Sequence, residues 1–352
     1  MADALAREGH ESFLLAPKGT PAHDEAVARG LSTPDLGDLG SSNPWTALTS
    51  LGRIRKFLIE ERIEIVNVHS GPGHALLALL CRSLRIPLVR TRGDIRPPKI
   101  HLFSRWLYRH GSRHHLISAD FMRGSYTQLG VSDGEVTTLA GGTDLELAGA
   151  VQRDSARADI RRQLGLPPEA FLIGMVARLS PVKGHSYLLE AVARLAPTHP
   201  ELHLVFAGPE AQRTQADVQE ESVSLGLGSR VHLVGRVAEP LKWAAAFDVA
   251  VIASTDSEAI CRSAFEYLAV GTPIVASDLN AIGEVLDEES ALLVPPGDPE
   301  ALARALVQLV DSADLRSSLS VRGRERASSE FSLQSLGRTT ASLFAGLSRS
   351  EA

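Results

Sequence analysis

Cysteine is nearly absent: Cys81 and Cys261 are the only two among 352 residues. Two distant thiols make neither a disulfide framework nor a zinc site, which fits a reducing compartment. No apolar run approaches the ~20 residues needed to span a bilayer. The first residues, MADALAREGHE, are charged and lack an apolar stretch, so they are not a signal peptide. A cytoplasmic location follows as the expectation, with peripheral contact at the inner face of the plasma membrane left open. There is no low-complexity segment and no short-period repeat. No Gly-x-Gly-x-x-Gly follows an expected strand, which counts against a dinucleotide oxidoreductase. Positive charge is not in excess either: the net charge of −6 argues against general nucleic-acid binding.

The charge present is uneven. Between Arg82 and Arg113 lie nine Arg and Lys residues, opposed only by Asp94. A basic face there suits an anionic acceptor or an anionic membrane surface. A solvated helix face accounts for the same charges equally well.

Short apolar runs alternate with helical patterns throughout. In the first half the runs are Ser12–Ala16, Ile63–His69, Pro87–Thr91, Leu116–Ser118 and Val136–Leu139. In the second they are Phe171–Ala177, Leu202–Ala207, Val231–Val234, Val249–Ala253 and Pro273–Ser277. Leu188, Leu189, Val192 and Leu195 recur at helical spacing. Asp298-Pro299-Glu300 reads as a helix start. The alternation predicts parallel sheets covered by helices.

Val151–Arg162 is polar and charged, so a linker is expected near residues 145–168. The chain divides into a first domain over 1–150, a second over 168–330, and a final helix over 331–352 that crosses back. Both domains read as doubly wound, which predicts a ligand site at the carboxyl ends of the strands, in a cleft between facing domains. The first domain lacks the strand and Gly-rich turn that normally open such a fold. A start placed too late is the expectation, since a missing central strand would leave two open edges.

Two segments carry chemistry. In Ser257-Glu-Ala-Ile-Cys-Arg-Ser-Ala-Phe-Glu266, two carboxylates sit eight residues apart, about 12 Å along a helix. Glu258 on the turn can accept from sugar hydroxyls, and Glu266 can hold a ribose. The backbone N–H groups around Ile260 and Cys261 can meet a diphosphate. On its own the pair reads equally as a surface helix. In Ala177-Arg-Leu-Ser-Pro-Val-Lys-Gly-His185, Arg178 and Lys183 flank a turn after a strand. Two such cations neutralise a diphosphate leaving group, Arg bidentately and Lys as a point charge. A solvated loop has the same composition. His185 reads as a cap or surface residue rather than a catalyst.

Together these segments resemble the retaining family 4 glycosyltransferases of GT-B fold: two Rossmann-like α/β domains facing across a cleft, here with the first strand of the N-terminal domain missing. Gly-x-Leu-x-x-x-Lys-Gly is matched by Ala177–Gly184, with Ala177 for the leading Gly. The Glu-x7-Glu pair is Glu258 and Glu266. Further matches are Phe-Ala-Gly-Pro-Glu at 206–210, Val-Gly-Arg at 234–236, Ala-Ile-Gly-Glu at 281–284 and Leu-Leu-Val-Pro-Pro-Gly-Asp at 292–298. Arg-Glu-Gly-His-Glu at 7–11 and Gly-Gly-Thr-Asp at 141–144 add two in the first half. The form of the Glu-x7-Glu segment is nearest to lipopolysaccharide and cell-surface polysaccharide enzymes of bacteria.

The resemblance implies a nucleotide-diphosphate sugar donor, a glycan or glycolipid acceptor, and retention of configuration by front-face attack. It implies no cofactor and no metal, because Arg178 and Lys183 hold the diphosphate. Glu258 would hold the donor sugar, Glu266 the ribose, and Ile260 and Cys261 would present backbone N–H groups. The family's Thr-x-His-Asp falls on Thr91-Arg92-Gly93-Asp94, so its His is replaced by Gly93. His69, at the end of the preceding strand, is the substitute candidate. Arg92, Asp94 and Arg96 are then placed on the acceptor side, Arg92 as a candidate for an acceptor phosphate. The missing strand and Gly93 leave a second reading open, a non-catalytic sugar-nucleotide or glycan-binding subunit of the same fold.

Overall fold

The computed structural model describes residues 1–93, 96–256 and 261–349. The chain packs as two units, Met1–Ala140 with Leu333–Ala352, and Gly141–Ser332.

The first unit holds a parallel sheet of β1 (Val66–Val68), β2 (Leu88–Arg92), β3 (His114–Ile117) and β4 (Val136–Thr138), in that spatial order. Its core joins Val68, Leu88 and Ile117 to Leu77 and Cys81 of the helix Gly71–Leu84 and to Tyr126. Burial pushes the Cys81 thiol up to about 12, so it behaves as a small apolar side chain. Ser12–Ala16 does not form the expected strand. Among the described residues it makes one bridge, Phe13 with Ser32. The helix Leu333–Arg349 packs on the helix Ala2–Arg7.

The second unit holds six parallel strands: β5 (Phe171–Val176), β6 (Leu202–Ala207), β7 (Val231–Gly235), β8 (Val249–Ile252), β9 (Ile274–Ser277) and β10 (Leu292–Val294). Their spatial order is β10-β9-β8-β5-β6-β7. The chain runs outward from β5 through β6 to β7, then returns to the other side of β5 and runs outward again. The topological switch point therefore lies between β5 and β8, where ligands bind such sheets. β5 and β8 are buried on both faces, as their unbroken apolar runs require. Leu188, Leu189, Val192 and Leu195 are at most 3% exposed on the helix His185–Leu195. Each contributes about 1.5–3 kcal/mol by leaving water. Asp298 caps the helix Pro299–Asp311 by accepting from the N–H groups of Glu300 and Ala301.

The stretch expected as a linker is helical, Leu145–Ala150 and Arg153–Gln163, and belongs to the second unit. Part of its charge faces inward, while Asp154 and Arg162 stay exposed. Asp248, 5% exposed, accepts from Arg161 Nη2 at 2.6 Å, from Arg157, and from the Leu172 N–H at 2.7 Å. Arg161 also donates to the carbonyls of Ala170 and Ala246.

Candidate functional site

The loop after β5 is set by steric need. Leu179 N–H donates to Pro209 O at 2.8 Å, and Thr255 N–H to Val182 O at 3.0 Å. Gly184 has φ +73°, and a Cβ there would lie 1.8 Å from the carbonyl oxygen of Ala253, just past β8. Gly208, after β6, packs as closely on the Ala177 carbonyl. The turn Pro181–Lys183 thus lies pressed across the switch point. Arg178 is exposed and makes no ion pair among the described residues, while Lys183 is half-buried.

Behind this loop sits His185, 1% exposed against Phe206. It is a core residue, not a cap or surface residue. Burial lowers its imidazole to about 4, so it is neutral. The Ser180 backbone lies beside it but closes no well-aligned hydrogen bond to either ring nitrogen.

The helix Arg262–Val270 is tied to the same strand end. Val176 N–H donates to Tyr267 Oη at 2.7 Å, and Tyr267 is fully buried. Cys261 is the helix N-cap and is buried. Glu266 is half-buried, and burial holds its carboxyl above the usual range, with Arg262 acting in the other direction. Glu258 and Ile260 lie outside the described residues, as does Asp94. Among the described residues no cluster of three or more His, Cys, Asp or Glu could hold a metal ion.

The remaining candidates belong to the first unit. His69 ends β1. It keeps an exposed surface yet is densely surrounded, as a side chain in a recess is, and burial followed by the Arg90 cation lowers it to about 4. Arg92 is 8% exposed. Its Nη2 donates to the carbonyl of Arg96 at 2.6 Å and its Nη1 to Tyr108 Oη at 3.4 Å. Arg96 is exposed. The structure therefore brings Arg178 and Lys183 together on one loop and Cys261 and Glu266 together on one helix. It joins Arg92 to Arg96 through the backbone. Sequence reasoning passed over Arg90, which alternation along β2 would equally have offered.

Two family models cover most of the chain. Glycosyl transferases group 1 matches residues 156–326, and Glycosyl transferase 4-like domain matches residues 1–142. The chain belongs to the group 1, family 4 glycosyltransferases. A lipopolysaccharide core biosynthesis mannosyltransferase of Rhizobium meliloti is 25% identical over 199 residues, 55% of this chain and 56% of that protein. A D-inositol 3-phosphate glycosyltransferase of Thermomonospora curvata is 35% identical over 169 residues, 45% of this chain and 39% of that protein. The chain thus matches about half the length of such curated relatives, or less. A Rickettsia africae glycosyltransferase superposes with TM-score 0.87 at 17% identity, over 98% of this chain and 92% of that one. Anabaena HepE, solved with UDP, gives 0.84 at 19% identity, over 98% and 94%. These neighbours share the GT-B fold with this glycosyltransferase.

Proposed function

We propose that this glycosyltransferase moves a sugar, with retention of configuration, from a nucleotide-diphosphate sugar to a glycan or glycolipid of the cell surface. The observation that carries the reading is the Arg178–Gly184 loop, two cations on a turn fixed at the switch point of the second sheet. Arg178 and Lys183 neutralise the diphosphate as it departs, the main electrostatic contribution to such a transfer. The bond from the anomeric carbon to the diphosphate breaks, and a bond to the acceptor oxygen forms on the same face. The departing phosphate oxygen takes the acceptor proton. Glu266 holds the ribose, Glu258 the donor sugar, and the backbone at Ile260 and Cys261 the phosphates. His69 stands for the family His, and Arg92, whose Nη2 donates to the Arg96 carbonyl, belongs with Asp94 and Arg96 to the acceptor side. With two cations at the leaving group, the reading assigns no role to a metal or cofactor. The named activities of the Rhizobium and Thermomonospora relatives support a lipopolysaccharide-type or phosphorylated acceptor.

The test is thermal unfolding with UDP-, GDP-, ADP- and CDP-sugars, wild type beside Lys183→Ala. One nucleotide class should raise the melting temperature by mass action. The variant should lose that shift and about 10²–10³ of turnover. No shift with any donor, or unchanged kinetics in the variant, rejects the assignment.

No helix among the described residues is long and apolar enough to cross a membrane. A cytoplasmic site of action at the inner face of the plasma membrane belongs to the same proposal. It is supported by the start of the helix Leu102–His110, where Ile100, Leu102 and Phe103 are exposed, Leu102 to 86%. Arg105 and Arg109 line a basic cavity beside Trp106 and carry no ion pair among the described residues. Apolar insertion with flanking cations suits anionic lipid. Leu102→Ser with Phe103→Ser should cut cosedimentation with anionic vesicles without altering the melting temperature. Undiminished cosedimentation rejects this face.

A further inference from the structure

Where β1 and β2 pair, the chain carries buried positive charge that no carboxylate among the described residues opposes. Arg90 is 5% exposed. Its Nη1 donates to the carbonyl of Val68 at 2.9 Å and to that of Ser70 at 3.2 Å. Its Nε is sealed from solvent without a partner, and no carboxylate pairs with it among the described residues. Breaking or omitting the partner of a buried charge is costly, so an unpaired one calls for an explanation.

The guanidinium lies beside a helix start. Ser70, whose carbonyl it reaches, is the N-cap of the 14-residue helix Gly71–Leu84. The Ser70 side chain does not cap that helix. The first-turn N–H groups of Gly71 and Gly73 therefore lack a side-chain acceptor, and Pro72 between them has no N–H to offer. A helix N-terminus carries positive partial charge. It meets here a cation of the same sign, an arrangement that an anion completes.

The neighbouring imidazoles record the same field. Burial lowers His69 to about 4 and His74 to about 3, and at each the next cause is the Arg90 cation. At His74, His115 and Arg92 push the same way, and among the described residues no acidic group acts on either imidazole.

We propose that Arg90, the Ser70 hydroxyl and the N–H groups of Gly71 and Gly73 form a binding subsite for a phosphate group carried by the acceptor. The acceptor part of this inference rests on the transferase reading; the phosphate site itself does not. Arg90 supplies the charge, the helix start supplies directed donors, and the backbone carbonyls of Val68 and Ser70 hold the guanidinium in place. The second nitrogen of the fork, Nη2, makes no hydrogen bond among the described residues and is not among the sealed atoms, which leaves it for the ligand.

The experiment is thermal unfolding of the full chain with inorganic phosphate against chloride at equal ionic strength. It is run in the Arg178→Ala, Lys183→Ala background, so that the donor loop cannot answer. Phosphate should still raise the melting temperature there. Adding Ser70→Asp should abolish that rise without unfolding the chain. Ser70 already has extended N-cap geometry (φ −90°, ψ 143°), and Asp is a favoured N-cap, so its carboxylate takes the anion's place. Arg90→Met should abolish the rise as well. No phosphate response in the background variant, or a response that Ser70→Asp retains, overturns the subsite. In transfer assays of the otherwise wild-type chain, Ser70→Asp should raise the acceptor KM about tenfold and leave the donor KM in place, as loss of a charge-assisted contact predicts. A rise confined to the donor KM overturns the acceptor assignment. A phosphate response without transfer from any donor sinks the transferase reading and leaves the subsite standing.

Discussion

On the proposed reading, Glu266 meets two demands that oppose each other. Its half-buried carboxyl is held above the ordinary range by burial, so the folded state binds the proton more tightly than the unfolded one. For a raised value, the stabilising contribution is complete at low pH and is lost as pH rises through the folded value. Glu266→Gln should therefore raise the melting temperature of the ligand-free chain near about pH 7, and the gain should fade by about pH 4. The same substitution should weaken donor binding roughly tenfold, because hydrogen bonds to a charged group contribute about 1.5–3 kcal/mol. Melting curves against pH, paired with donor titrations, check both halves. A variant no more stable at neutral pH, with full donor affinity, would remove Glu266 from the site. The conflict is the expected mark of a residue kept for binding rather than for folding.

At the scale of elements, two features show how neighbours decide what a segment becomes. The helix Arg153–Gln163 is polar enough to pass for a linker, yet Arg157 and Arg161 reach Asp248 across 91 and 87 residues of chain. Arg161 is 3% exposed, so removing the carboxylate leaves a buried cation without its partner. Asp248→Ala should cost about 3–5 kcal/mol in urea unfolding. A cost below about 1 kcal/mol would mean that the carbonyls of Ala170 and Ala246 suffice for Arg161. The Arg178–Gly184 loop behaves in the opposite way. Its Arg, Lys and Gly were readable at once, because Gly184 has a local signature, a turn glycine beside a cation. What holds the turn is the backbone of Ala253, about seventy residues on, a contact that local pattern does not contain. The weakest elements were also the least legible. β10 is three residues long and passed unnoticed, while Ser12–Ala16 has a strand's composition and makes only one bridge among the described residues.

Across the whole molecule, buried histidines set the response to acid. His74, His115 and His185 are at most 2% exposed, and burial lowers them to about 3, 4 and 4. For a lowered value the contribution to stability is present above the unfolded value and is lost as pH falls. The urea midpoint should thus begin to drop below about pH 6.5 and fall further toward about pH 4. A flat midpoint across that window would mean these imidazoles are not buried in neutral form.

Periodicity and composition alone determined the α/β class and most of the ten strands among the described residues, because runs buried on both faces of a parallel sheet stay apolar whatever surrounds them. The ordered motifs determined the family. Tertiary structure alone decided where charge goes. It turned the expected linker into a clamp on Asp248, directed Arg92 at its own loop, and left Arg90 buried beside a helix start with no carboxylate partner among the described residues. Burial and counter-charge depend on groups far apart in the chain, and a residue's letter and its near neighbours do not carry them.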